Sequence, residues 1–279
     1  MLARVKIVYN IVFNTIIVEV SPVLSQAPVP AVLRWDLMAA KLFKGVKVRQ
    51  SRETARVPAR APAAAVLIAR SIEEDIVLGR RGPRERLIEQ DLSDLFHTHR
   101  GDVRLALFEL EKKGLVERIP NRGAMVRGLT PPEVREIYAV REELEAMAVR
   151  IIPFPVAPSD IEKLEELQRQ HAAAIAKGEM LNVFYSNLRF HGALYGLCGN
   201  ACLVETIDFL SQKVHGIRSY ANAFPESLDR ARRDHLDMIK ALRAARRDEL
   251  IELTRRHLKP SPEAYIKAYE QRFGSAGPA

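Results

Sequence analysis

The chain has 279 residues, 47% hydrophobic and 28% charged, the composition of a soluble globular protein with length for two ordinary domains. Two cysteines, Cys198 and Cys202, give no disulfide framework; they fit a reducing cytoplasm and read as two small buried residues. No run of about 18 uncharged apolar residues exists to span a membrane, and the net charge of +8 argues for a nucleic-acid partner only through where it lies.

Residues 1–62 hold 10 Lys and Arg against 3 Asp and Glu, residues 63–128 hold 12 against 11, and the remainder balances at 21 of each. The excess is therefore in the N-terminal segment. There Met1 to Lys6 is basic and Ile7 to Val20 apolar, loosely like a secretory signal, but Asn10, Asn14 and Glu19 interrupt the run. Scattered prolines (Pro22, Pro28, Pro30, Pro58, Pro62) and the lack of a helical period predict a largely disordered extension over 1–62. It reads either as a basic arm touching phosphates or as sequence upstream of a later start at Met38.

From Ala63 an apolar helical pattern runs through Leu67, Ile72, Ile76 and Val77 to Gly79, and Gly82-Pro83 breaks the chain. Leu87, Leu92 and Leu95 predict a second helix ending near Phe96. Val103, Leu107, Leu110 and Leu115 predict a third, closed by Gly114. Two short strands follow, Val116 to Ile119 and Ala124 to Val126, joined by the turn Pro120-Asn121-Arg122-Gly123. Three helices closed by a hairpin outline a winged helix-turn-helix over 63–128.

Thr130-Pro131-Pro132-Glu133 reads as a capping box with proline at the first helical position, opening a second domain over 129–272; a short disordered tail, 273–279, follows. Long helical patterns without a strand, broken at Pro153 to Ser159, Lys177-Gly178, Gly199-Asn200 and Pro225, predict an all-α bundle. The fold class is mainly α, with a small β-hairpin wing.

In a helix-turn-helix the second helix enters the major groove. Here it opens with His99-Arg100-Gly101-Asp102-Val103-Arg104, and the i, i+4 spacing puts Arg100 and Arg104 on one face. Arginine suits bidentate contact to guanine or a clamp on phosphate. His99, Arg100 and Arg104, with Asn121, Arg122 and Gly123 of the wing, are the candidate DNA contacts.

From Ala63 to Leu129 the order of features resembles the GntR family of bacterial regulators. The resemblance lies in Leu87-Ile88-Glu89-Gln90-Asp91-Leu92, in Arg100, Val103-Arg104, Leu107 and Leu110, in Glu111 to Val116, and in the wing. Where that family usually has Gly-Val-Ser-Arg-Thr-Pro, this chain has His97-Thr98-His99-Arg100-Gly101-Asp102. Hydroxyls that would meet phosphate or base are lost, and Asp102 repels phosphate unless it accepts a hydrogen bond from a cytosine amino group.

Arg141 to Glu145, Asn187-Leu188-Arg189-Phe190-His191, Gly199 to Leu203 and the late histidines His235 and His257 resemble the FCD ligand-binding domain, the all-α partner of one GntR subfamily. The resemblance implies a divalent metal, Zn²⁺, Ni²⁺ or Mn²⁺, held by Asn187, His191, His235 and His257. It also implies a small carboxylate effector met by Arg141 and Arg218. His171 and His215 read as structural, as do the cysteines.

The expected protein is a cytoplasmic bacterial homodimer that binds double-stranded DNA, responds to a small organic acid, and has no catalytic residues and no membrane contact. One alternative is a metal-dependent, hydrolase-like helical domain that uses the winged helix for docking, since three histidines and an open position also hold hydrolytic zinc. Glu205 and Asp208 stand in no recognised catalytic spacing with those histidines. A third reading is an RNA- or protein-binding winged helix.

Overall fold

The computed structural model describes residues 5–11, 14–20, 63–119 and 123–273. The chain divides into two units, Met1–Val57 and Pro58–Ala279. In the first, β1 (Val5–Ile11) pairs antiparallel with β2 (Asn14–Val20), from Val5 opposite Val20 to Ile11 opposite Asn14. This pairing stands where no regular structure was expected; both segments are rich in the β-branched residues that favour strands.

The second unit begins with α1 (Ala63–Val77), then β3 (Arg86–Leu87), α2 (Glu89–Leu95), α3 (Arg100–Lys112), β4 (Val116–Ile119) and β5 (Gly123–Val126). On α1, Ile68, Ile72 and Ile76 recur every four residues and are buried; on α3, Val103, Leu107 and Leu110, spaced by four and then three, are buried likewise. Leu87, Leu92 and Ala124 complete this core. β3 escapes a sequence reading because two residues carry no periodicity. It pairs with β5 at Leu87 and Ala124, giving a three-stranded sheet of order β3-β5-β4.

Two backbone positions shape this domain. Gly123 has φ +87°, and a Cβ there would lie 2.4 Å from the Leu87 carbonyl oxygen, so β3 and β5 meet only because the residue is glycine. In the α2–α3 turn His97 takes φ +48°, a left-handed conformation that glycine adopts without strain. The turn is held by Ser93 Oγ donating to the Thr98 carbonyl at 2.5 Å.

The capping box forms as expected: Glu133 accepts from the Thr130 backbone N–H and hydroxyl, each at 2.8 Å. It starts α4 (Pro131–Arg150), followed by α5 (Pro158–Ala176), α6 (Met180–Gly196), α7 (Ala201–Lys213), α8 (His215–Asn222), α9 (Pro225–Arg243), α10 (Arg247–Leu258) and α11 (Pro260–Phe273). The breaks at Val214 and Ala244–Arg246 contain no proline or glycine, with only Ala245, φ +53°, at a positive φ, which is why the sequence pattern ran across them; the break at Lys259 precedes Pro260, which opens the last helix. α5 packs on α6 and α9, and α4 on α10, around Phe190, Leu194, Met238, Leu242 and Leu250. Burying each such side chain contributes roughly 1.5–3 kcal/mol.

A smaller core of Leu129, Val134, Tyr138, Val214, Ile217 and Tyr265 lies beside the junction with the winged helix, where α1 packs on α8 and α6. The cysteines correct an expectation: both are free, Cys202 is exposed beyond the Gly199-Asn200 corner, and Cys198 is only half-buried at the edge of the core.

Candidate functional site

The basic face of the winged helix is built from α2, α3 and β4. Arg100 and Arg104 are exposed on one side of α3, and α2 orients both: Gln90 Oε1 accepts from Arg100 Nε at 2.8 Å and Glu89 Oε2 from Arg104 Nε at 2.8 Å. Arg118 on β4, missed by the sequence reading, donates from Nε to Glu111 Oε2 at 2.7 Å and borders the same groove. A basic residue in a wing strand next to the recognition helix was the available signal. His99 is the exposed N-cap of α3. Asp102 accepts from the Thr98 hydroxyl at 2.8 Å, which ties its charge to the helix N-terminus. Asn121 and Arg122 lie outside the described residues.

In the helical domain three imidazoles converge, His191 from α6, His235 from α9 and His257 from α10. His191 Nε2 lies 3.0 Å from His257 Nε2 and 3.3 Å from His235 Nε2. Their outer nitrogens fix the tautomers. Gln168 Nε2 donates to the Arg232 carbonyl at 3.2 Å, so its Oε1, 2.8 Å from His235 Nδ1, is the acceptor and His235 Nδ1 carries the proton. The Asp234 carboxylate, 3.4 Å from His257 Nδ1, does the same for His257.

Two bare Nε2 lone pairs therefore face His191, whose single proton satisfies at most one of them, and His191 Nδ1 is buried without a partner. An electron-rich convergence backed by an amide and a carboxylate is the arrangement that holds a divalent cation. Burial above all, then electrostatic repulsion from the neighbouring imidazoles and Arg218, holds His191 and His235 well below the usual histidine pKa, so their rings are neutral ligands. Asn187 sits one helical turn before His191 and is half-buried. Gln168 has no local sequence signal; Asp234 directly precedes His235.

Beside the imidazoles is a cavity of about 160 Å³, bordered by Tyr138, Arg141, Tyr195, Ser211 and Arg218 as well as His191 and His257. The two arginines differ. Arg141 is buried, and both Nε and Nη2 donate to Glu145 Oε1, at 3.0 and 2.8 Å, while Tyr195 donates to Glu145 Oε2 at 2.5 Å. Its charge is already matched. Arg218 meets only a hydroxyl, Ser211 Oγ at 3.0 Å from Nη2, and its Nε is buried without a partner. Burial and then the nearby Arg141 charge lower the Arg218 pKa, the mark of a cation short of an anion. Glu145 and Tyr195 were legible in hindsight, each four residues after Arg141 and His191 on the same helix.

Residues 65–126 match the family model described as "Bacterial regulatory proteins, gntR family", and residues 136–260 match "FCD domain". The chain belongs to the GntR family. The HTH-type transcriptional repressor RspR of Escherichia coli (strain K12) is 27% identical over 199 residues, 71% of this chain and 86% of that protein. The Nta operon transcriptional regulator of Aminobacter aminovorans is 29% identical over 138 residues, 49% of this chain and 64% of that protein. Among solved structures, E. coli McbR/YncC superposes with a TM-score of 0.64 at 22% identity, over 75% of this chain and 99% of that one. A GntR regulator from Rhodococcus sp. RHA1 superposes with 0.63 at 21% identity, over 75% and 100%.

This GntR regulator is thus a DNA-binding transcription regulator with an FCD effector domain, and not an enzyme. Among its described residues no helix is long and apolar enough to cross a membrane.

Proposed function

We propose that the regulator works in the cytoplasm as a homodimer on a near-palindromic operator, and that a small carboxylate bound in the helical domain changes its affinity for that operator. The observation that carries this is Arg218, a guanidinium without an anion, facing a cavity shared with His191 and His257. A guanidinium fork is the natural partner of a carboxylate. A cavity of about 160 Å³ is far below the 300–1,000 Å³ of drug-sized sites, which favours a small acid.

His191, His235 and His257, with Asn187 as a weaker oxygen donor, are the residues that would hold Zn²⁺, Ni²⁺ or Mn²⁺. A bound ion would supply a second positive centre for the carboxylate. Arg218 orients the acid, Tyr195 and Glu145 keep Arg141 occupied, and the neutral imidazoles leave their lone pairs inward. On DNA, Arg100 and Arg104 would enter the major groove with His99 at its edge, and Asn121, Arg122 and Gly123 would add contacts of their own. Twofold pairing doubles a contact that one recognition helix makes over only a few base pairs.

Metal content of the purified regulator, and thermal unfolding with acetate, lactate, succinate and citrate in the presence and absence of Zn²⁺, test this reading. Metal lost in a His191/His235/His257→Ala triple variant, and acid stabilisation lost in Arg218→Ala, are expected. Equal metal content in wild type and triple variant, or equal acid stabilisation in Arg218→Ala, overturns it.

A further inference from the structure

The junction between winged helix and helical domain contains a buried polar node used by neither the DNA face nor the effector cavity. Glu73 of α1 is buried, and its carboxylate accepts from His215 Nδ1 at 2.9 Å and from Lys113 Nζ at 2.5 Å. A carboxylate only accepts, so His215 Nδ1 carries the proton and Nε2 is a bare lone pair, buried without a partner. Phe184 of α6 stands edge-on to the imidazole, centroids 5.0 Å apart at 85°. Burial above all keeps His215 below the usual histidine pKa. At Glu73 burial acts upward, but the hydrogen bonds from His215 and Lys113 outweigh it and hold the carboxyl below its ordinary value.

The node joins three elements. Glu73 belongs to α1, Lys113 is the C-cap of the recognition helix α3, and His215 opens α8. The next residues of α8 are equally committed. A Cβ on Gly216 would lie 3.2 Å from Ile76 Cγ2 of α1, so the two helices nearly touch; Ile217 is buried with Leu129 and Val134. Arg218 then reaches the effector cavity. One turn of helix is pinned to the winged helix at its first residue and offers its unpaired guanidinium to the cavity at its fourth. At roughly 1.5 Å of rise per residue these positions are only about 4.5 Å apart along the axis, with no flexible segment between them.

We propose that α8 is the lever that carries occupancy of the effector cavity to the DNA-reading domain, with Glu73, His215 and Lys113 as its joint and His215 as the positioning residue. A movement of Arg218 displaces His215 with it, because a helical turn moves as a body. A shift of about 1 Å takes the 2.9 Å bond to Glu73 beyond hydrogen-bonding range, which leaves the Glu73 carboxylate held only by Lys113 and uncouples α1 and the end of α3 from α8. The trigger rests on the reading of Arg218 as the carboxylate-binding residue, whereas the mechanical link does not.

Hydrogen exchange of the full-length protein tests the link without effector or operator. It is followed in the α1 and α3 peptides of wild type, Arg218→Ala, His215→Phe and the double variant. Arg218→Ala touches neither helix but removes the anchor of α8 to Ser211; about fivefold faster exchange in α1 is expected. His215→Phe keeps a ring against Phe184 and removes the donor, and should give at least the same rise. The double variant should match His215→Phe alone, as two steps on one route do. Wild-type rates in Arg218→Ala, or effects that multiply in the double variant, overturn the proposal. If His215→Phe does not fold, Glu73→Gln breaks the same joint from the other side and takes its place in the cycle. Unchanged acid stabilisation in Arg218→Ala together with accelerated α1 exchange would sink the carboxylate reading and leave the lever standing.

Discussion

Glu145→Gln removes the charge that matches the buried Arg141 guanidinium while keeping the volume and one acceptor oxygen. Arg141 is 3% exposed and Glu145 1%, so solvent does not replace the lost partner. Breaking a buried ion pair by neutralising one member costs about 3–5 kcal/mol, and the retained acceptor places this case near the lower end. At roughly 2–4 °C per kcal/mol for a folded unit of this size, Tm should fall by about 6–12 °C. The same substitution leaves two guanidiniums, Arg141 and Arg218, facing the cavity without a carboxylate. Citrate should therefore restore part of the loss, and its stabilisation should exceed that of wild type at the same concentration, since ligand binding to the folded state adds RT ln(1 + [L]/Kd). Thermal unfolding of both proteins at neutral pH with and without excess citrate measures both effects. An unchanged Tm would refute the energetic reading of the pair, and an equal citrate shift would refute the role given to the cavity.

Arg100→Ala and Arg104→Ala should each weaken operator binding and reduce the slope of log Kd against log salt by about 1, in mobility-shift titrations at several ionic strengths; an unaltered slope would remove that residue from the phosphate contacts. His97→Gly relieves a left-handed histidine and should stabilise by about 1 kcal/mol, read as a rise in Tm; a fall would show that the imidazole makes a contact worth more than the strain. Gly123→Ala should destabilise by roughly 1–3 kcal/mol, since the left-handed backbone and the Leu87 carbonyl both oppose a Cβ, and an unchanged Tm would mean that β3 and β5 separate freely. Burial pushes the His171 pKa down to about 4, whereas the unfolded ring titrates near 6.5. The unfolded state binds more protons between these values, so this contribution is complete above about 6.5 and is lost as pH falls towards 4, up to about 3 kcal/mol. Urea unfolding across that range checks it, with His171→Gln expected to show a flatter profile.

The winged helix was legible because its elements carry their own signals: isoleucine every four residues on α1, leucine spacing on α3, a proline- and glycine-bearing turn between β4 and β5. β3 was not, since a two-residue strand exists only by pairing with β5. The capping box at Thr130 was local and readable. The breaks at Val214 and Ala244–Arg246 were not, because nothing in those residues forbids a helix and only packing bends the chain there; the one at Lys259 had a local signal, Pro260, that the apolar pattern overrode.

By itself the sequence determined the family, the two-domain order, the paired arginines of α3 and the three histidines. Each of these depends on residue type and on spacing within one element. Only the tertiary structure decided which arginine is free. Arg141 and Arg218 look alike in the chain, but Glu145, one turn away on α4, takes up the first, while the second meets no carboxylate. It also turned His215 from a core histidine into the partner of Glu73, 142 positions earlier. A distance of that kind leaves no periodic trace, because a buried carboxylate needs a donor in space and not a neighbour in sequence.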